Sequence, residues 1–266
     1  MSGGWKNIWT LFSRPGERIE VVETGYDMVD DREEFRLRIE KSLSQLRGQI
    51  ERLNNKYREL AARNKLYFEK CIEALVARDE ERAKIYASEI AEIKKLAKII
   101  IHSQLVLLQI RIRLESILEL GEVLVLVRPL ITLLENVRTE IADVVPEASE
   151  NLRSLANTIE NFITESETYV EPPPSQALEE LSDEANFILN EARRIAAEKV
   201  KEHFPDIPTL TEEEKAVYSY VMSNQNEELD LDECASQLGI RPENLQEILR
   251  RLQEKGLIEI QIGEVS

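Results

Sequence analysis

Bond-making chemistry has few candidates in this chain of 266 residues. Two histidines, His102 and His203, fall on separate elements, and neither stands at a Cys/His spacing that would close around a metal. His102 lies in an apolar helical stretch, where a packed imidazole is the simpler reading. Cys71 and Cys234 are too few for a disulfide framework and predict a reducing, intracellular compartment. The sequence contains no Gly-x-x-x-x-Gly-Lys-[Ser/Thr] loop and no glycine-rich dinucleotide turn. Its many glutamate pairs follow the pattern of solvated helix faces. The expectation is no catalytic residue, no cofactor and no metal, hence not an enzyme.

The N-terminus has a different chemical purpose. Trp5, Ile8, Trp9 and Phe12 recur at i, i+3, i+4 and i+7, with Leu11 flanking and Lys6 and Arg14 alongside. On a helix this spacing puts both indoles of the chain on one face, and Pro15-Gly16 ends that helix. An indole is apolar over its ring while its N–H needs a partner, which suits the headgroup boundary of a bilayer. These seven residues form a candidate membrane anchor, to which a basic helix over residues 32–78 would add, with 12 basic and 7 acidic side chains. A short helix docked on the protein's own core is the alternative.

Of the residues, 42% are hydrophobic and 32% charged, enough apolar material for a core. Nine glycines and nine prolines are too few for the turns of an all-β sandwich of this length. No apolar run reaches the roughly 18 residues of a membrane span. The net charge of -17 is unevenly spread. Residues 32–128 carry a net +5 and residues 129–266 a net -19, so a basic front half precedes a strongly acidic back half. Such a split predicts attraction within the chain or different partners for its two ends.

Leu43, Leu46, Ile50, Leu53, Tyr57 and Leu60 are spaced 3-4-3-4-3, one seam of a long helix. After Ala77–Arg82, which holds no large apolar side chain, the spacing resumes at Ile93, Leu96, Ile100, Leu107, Ile110 and Leu114. These twelve residues are the predicted core of a hairpin over residues 32–120, two long helices (32–78 and 80–120) folded back on each other. Because the turn has neither Gly nor Pro, one continuous helix is the competing reading. Between Ile99 and Ile112, 9 of 14 residues are apolar, which predicts contact on more than one side. Further helices are predicted from Val123 to about Val145 and through Leu152, Leu155, Ile159 and Phe162. Pro172-Pro-Pro174 predicts a stiff linker, followed by an amphipathic acidic helix over 178–203 with Leu178, Leu181, Ala185, Ile188, Ala192 and Ile195 inward. Phe204–Leu210 is predicted to be extended, since residues before proline avoid the α region.

The last segment changes character. Thr211 and Glu214 have capping-box spacing, Gly239 closes a second short helix, Arg241–Lys255 reads as a third, and Leu257–Ile262 alternates as a strand. Residues 211–262 therefore read as a winged helix-turn-helix. Its charge opposes a nucleic-acid role: residues 211–266 hold 5 basic and 13 acidic side chains, and duplex affinity comes largely from Lys and Arg on phosphates. A protein-binding winged helix is the expectation.

The fold class expected is thus all-α: a long antiparallel helical hairpin with shorter helices and a small C-terminal winged helix-turn-helix. The chain divides as residues 1–31 (anchor and linker), 32–171 (core, with helices over 123–167), 172–210 (linker and acidic helix) and 211–262. This arrangement resembles the archaeal ESCRT-III cell-division proteins (CdvB-like). The local match is Leu66-Tyr-Phe-Glu-Lys-Cys-Ile-Glu-Ala-Leu75 and Glu81-Arg-Ala-Lys-Ile-Tyr-Ala-Ser-Glu-Ile-Ala-Glu-Ile-Lys-Lys95, with the appended winged helix pointing to the division branch. The resemblance implies a filament-forming subunit that polymerises on membranes to remodel and cut them. It would be cytoplasmic and peripheral on the inner face of the cell membrane at the division site, with an acidic helix folding back on the basic hairpin. It implies as partners further copies and related subunits, anionic membrane, the MIT domain of an AAA ATPase, and a coiled-coil membrane-recruiting division protein held by the winged helix. Phe204, Pro205, Ile207, Pro208 and Leu210 resemble the family's MIT-binding motif, with Phe204 standing where the pattern has Leu. The rival readings are a coiled-coil dimeric DNA-binding regulator and a soluble helical scaffold.

Overall fold

The seam that begins at Leu43 lies on a helix that runs from Asp27 to Val76 (α1), and the second seam lies on Glu80–Leu120 (α2). They belong to a computed structural model that describes residues 27–120, 128–167, 175–224 and 229–260. The chain divides into two compact units, Met1–Lys41 and Ser42–Ser266. In the first, the described residues are the opening turns of α1, laced by exposed pairs one turn apart, Arg38–Glu34 at 2.6 Å and Arg36–Glu40 at 3.0 Å.

In the second unit the competing reading of one continuous helix is settled by how α1 ends. Arg78 adopts φ 59°. Its amide donates to the Leu75 carbonyl and the Asp79 amide to the Ala74 carbonyl, which is a Schellman ending built on arginine where glycine is usual. Asp79 then caps α2, its carboxylate accepting from the Arg82 amide at 3.0 Å. The sequence places the reversal but does not mark its left-handed residue, which is arginine and not glycine. Antiparallel pairing follows: Cys71 donates to the Ala83 carbonyl, Tyr67 lies 6.0 Å from Tyr86, Gln104 donates to Asn54 at 2.7 Å, and Arg47 meets Glu115 at 3.6 Å.

Against α2 pack Arg128–Ile141 (α3) and Ser175–His203 (α5), and Pro146–Glu167 (α4) pairs with α3. The helix expected to run to about Val145 ends at Ile141, and Pro146 instead begins α4, its fixed φ suiting the first helical position. Leu130, Leu133, Leu134, Val137 and Ile141 of α3 are fully buried, as are Ile100, Leu107, Ile110 and Leu114 of α2. The apolar stretch of α2 thus serves α1 on one side and α3 and α5 on the others. On α5 the buried stripe is Ala185, Leu189, Ala192, Ala196 and Val200; Ala185 and Ala192 are the expected ones, while Leu189, Ala196 and Val200 replace the expected Ile188 and Ile195. Ile188 and Ile195 stay half-buried because small residues face α2 and let the backbones approach; the side chains of Leu178, Leu181 and Phe162 lie outside the described residues.

The C-terminal module is Glu212–Ser223 (α6), Leu231–Leu238 (α7) and Pro242–Glu254 (α8). Thr211 and Glu214 form the expected capping box, and Gly239 takes φ 66° at the end of α7. No described residue is in a strand. The predicted strand at 257–262 appears over 257–260 as irregular backbone, with Leu257 and Ile258 packed on the module's core. Asp230 caps α7, and Leu231 is the first residue of that helix.

Candidate functional site

The most informative geometry lies where Phe204–Leu210 crosses the hairpin tip. Phe204 continues the last turn of α5, its amide donating to the Val200 carbonyl at 2.9 Å. Pro205 and Pro208 then forbid helix, and the segment runs as an extended strap into Thr211. It is not free. Phe204 is 2% exposed, and its ring meets Tyr57 edge-on at 5.9 Å and 74°. The exposed Asp206 carboxylate accepts from Lys94 Nζ at 2.6 Å, and this ammonium holds its carboxyl below the usual range. Ile207 packs on two buried clusters, one around Cys71, Ala74, Ala83 and Ile90 and the other around Ile72 and the winged helix. Leu210 is buried in that second cluster with Val217, Leu245, Ile248 and Leu252.

The strap leads into a module that is itself docked on the hairpin. Ile72 is buried within the winged-helix core, with Phe68, Leu75 and Val76 packed against it. Arg78 at the turn pairs with Glu212 at the start of α6. Inside the module Glu214 is 1% exposed. Burial alone would push its carboxyl up; Lys255 at 2.6 Å, the Thr211 amide and Arg251 outweigh this and hold it low. Lys255 also donates to the Thr209 carbonyl at 2.9 Å, tying strap to module.

A third polar junction joins three helices. His102 is buried as expected, and its Nδ1 lies 2.5 Å from Glu140 of α3, whose other oxygen accepts from Arg193 of α5 at 3.1 Å. Hydrogen bonding from His102 and then Arg193 keeps the Glu140 carboxyl below its ordinary range. Cys71 and Cys234 are buried, burial raises both thiols, and neither has the electropositive setting of a reactive thiolate. Among the described residues no group of His, Cys, Asp and Glu could hold a metal ion, and no helix is long and apolar enough to cross a membrane.

The candidate anchor residues Trp5, Lys6, Ile8, Trp9, Leu11, Phe12 and Arg14 lie outside the described residues. Of the candidate hairpin core, Leu43, Leu46, Leu53, Leu60, Ile93, Ile100, Leu107, Ile110 and Leu114 are buried, while Ile50, Tyr57 and Leu96 are half-buried. Within Phe204–Leu210, Phe204 and Leu210 are buried, Ile207 and Pro208 half-buried and Pro205 exposed. Sequence reasoning missed their receptors, Tyr57, Ile72 and Lys94. Tyr57, a tyrosine in an otherwise aliphatic seam, was the one signal available.

The chain is 30% identical over 232 residues to Cell division protein B of Sulfolobus acidocaldarius, covering 80% of this chain and 87% of the relative. The chain belongs to the cell division protein B family. Cell division protein B1 of the same organism is 28% identical over 211 residues, 79% of this chain and 98% of that protein. Residues 209–265 match the family model described as sugar-specific transcriptional regulator TrmB. No solved structure matches the chain. With membership settled, the helical hairpin and appended winged helix form an ESCRT-III-like all-α fold with a TrmB-like terminal module.

Proposed function

We propose that this chain is a filament-forming subunit that polymerises on the inner face of the archaeal cell membrane at the division site, and remodels and cuts that membrane. The reading is carried by the α1–α2 hairpin with its folded-back helices in a chain similar, over about four-fifths of its length, to cell division proteins B and B1. Its partners are further copies and related subunits, anionic lipid through Trp5, Trp9 and their neighbours, an AAA ATPase MIT domain through Phe204–Leu210, and a coiled-coil recruiting protein through the winged helix. The ATPase supplies the remodelling energy, since this sequence has no nucleotide loop. Electron microscopy of the full chain and of residues 1–171 on anionic liposomes tests the reading. Filaments are expected, more of them from the shorter chain; assembly by neither overturns it. Liposome flotation of Trp5→Ala/Trp9→Ala is expected to show lost binding, and binding equal to wild type removes the anchor.

The match to a transcription-regulator family favours one second reading, a DNA-binding role for the winged helix. Against it, Lys215, Arg250, Arg251 and Lys255 are engaged by Glu212, Glu254 and Glu214. Duplex DNA titrated at low salt is expected to give no binding; a salt-dependent complex would favour the regulator.

A further inference from the structure

Between α1 and the winged helix, beside Pro205, lies a cavity of about 730 Å³, within the size range of small-molecule sites. One wall is a face of α1 that carries Asn64, Phe68, Glu69 and Glu73; Tyr218 of α6 and Leu257 contribute another. Asn64 is 5% exposed, and its Oδ1 has no hydrogen-bond partner. A buried amide oxygen without a donor costs free energy that folded chains ordinarily avoid. Glu69 and Glu73 likewise have no ion-pair partner among the described residues. We infer that this cavity is a binding site for a linear aliphatic polyamine, held between the hairpin and the winged helix.

The chemistry of the walls selects the ligand. Asn64 Oδ1 and two carboxylates are acceptors, set against one exposed ammonium, that of Lys65, and the His203 imidazole, which stands edge-on to Tyr57 at 6.5 Å. Acceptors in excess call for a ligand that brings donors and positive charge, and they oppose an anion. The carboxylates act across the space: burial, then Glu73 and Glu69, raise the Tyr218 hydroxyl. A metal ion is a poor fit, since no group of His, Cys, Asp and Glu among the described residues could hold one. Helical rise puts Glu69 about 7.5 Å and Glu73 about 13.5 Å along α1 from Asn64. Phe68, half-buried, stands between them on the same face. That order of acceptor, apolar surface and acceptors matches ammonium groups separated by methylenes. The inner ammonium donates to Asn64 Oδ1, which a half-turn of the amide presents to the cavity without a change of volume. The methylenes cover Phe68 and Leu257, and the outer ammonium meets Glu69 and Glu73 beside the Tyr218 ring. A monoamine satisfies only one end.

Titration calorimetry of the full chain with spermidine at physiological ionic strength tests the site. Saturable binding of one spermidine per chain is expected, with butylamine, which brings a single ammonium, at least about tenfold weaker. Glu69→Gln/Glu73→Gln should weaken spermidine about tenfold, and Lys65→Ala should tighten it about twofold. Glu243→Gln/Glu247→Gln removes two exposed carboxylates from α8, away from the cavity, and should change affinity less than about twofold. An equal loss in that variant would reduce the binding to general attraction towards an acidic chain and overturn the site. Asn64→Leu separates binding from folding. It replaces an unsatisfied amide with an apolar group of similar size, so the thermal midpoint should hold or rise while spermidine affinity falls about tenfold. No saturable binding by the wild-type chain, or wild-type affinity in Asn64→Leu or in Glu69→Gln/Glu73→Gln, overturns the assignment.

Discussion

Helix α5 and the strap that follows it both fasten onto the hairpin, by different means. The α5 seam is apolar, three alanines with Leu189 and Val200: Ala185, Leu189, Ala192, Ala196 and Val200. Its charges are met within the helix, where Arg194 reaches Glu191 at 2.5 Å and Glu198 at 2.7 Å, and on α3 through Arg193 and Glu140. The strap end uses one deep aromatic and cross-element charge pairs, Lys94–Asp206 and Arg78–Glu212. The split between a basic front half and an acidic back half suggests a broad electrostatic latch along α5. Charge pairs between the two halves join the hairpin to the strap end at Lys94–Asp206 and Arg78–Glu212 and to α4 at Arg52–Glu147, while the α5 seam is apolar. One junction should therefore respond to volume and the other to charge.

The largest expected effect is at the strap. Phe204→Ala removes a buried ring and leaves a cavity beside Tyr57, a change that costs roughly 3–5 kcal/mol in closed cores. It should loosen the strap in hydrogen exchange while α5 stays protected; equal loosening of both would erase the distinction between them. Next is Ala196→Leu in the α5 seam, where this alanine is fully buried. Added volume there should cost about 1–3 kcal/mol, seen as a lower thermal midpoint, with the strap's exchange unchanged. Phe187, 69% exposed on the same helix, is the control: Phe187→Ser should leave the midpoint within about 0.5 kcal/mol equivalent.

The difference between the junctions also marks what could be read from the sequence. Elements fixed by local chemistry were legible: Thr211 and Glu214 announce a helix start three residues apart, Gly239 a helix end, and the seam from Leu43 to Leu60 a long amphipathic helix. Local chemistry that departs from the usual residue was not, and Arg78 in the left-handed position of a Schellman turn is the case in point. Long-range partnering was the least legible. Lys94 and Asp206 are separated by 112 residues, and nothing in either neighbourhood names the other. On α5 the spacing announces Ala185 and Ala192 but not Leu189, Ala196 and Val200, since apolar periodicity does not say which edge of the stripe meets α2. Phe204–Leu210 was visible as a pattern of prolines and apolar residues, but a pattern carries no sign that Phe204 and Leu210 are buried against the rest of the chain.

An intermediate effect concerns pH. Glu140 has its carboxyl held low by His102 and then Arg193, so as a carboxylate it stabilises the α2–α3–α5 junction above the ordinary carboxylate range. That contribution is lost as pH falls through the lowered native value, because protonation then costs the folded state more than the unfolded one. Glu140→Gln should lower stability at neutral pH by about 1–2 kcal/mol, as loss of a charged hydrogen bond does, and should flatten the acid limb of a stability–pH curve. An unchanged acid limb would mean that Glu140 does not carry it.

The smallest effect separates the junctions most cleanly. Raising salt shortens the screening length from about 30 Å at 0.01 M to about 3 Å at 1 M, which weakens exposed pairs and leaves apolar packing intact or stronger. Asp206 is fully exposed and Lys94 partly so, so their pair is weak and is weakened further in high salt. The amide of Ile207 should then exchange a few-fold faster at high salt, while amides of α5 near Ala192 and Ala196 exchange no faster. Acidification works in the same direction. With its carboxyl lowered by Lys94, Asp206 contributes above the usual aspartate range and ceases to do so as pH falls through its native value. If α5 and the strap respond equally to salt, the charge split acts along the whole hairpin, and the division of labour between fit and charge is wrong.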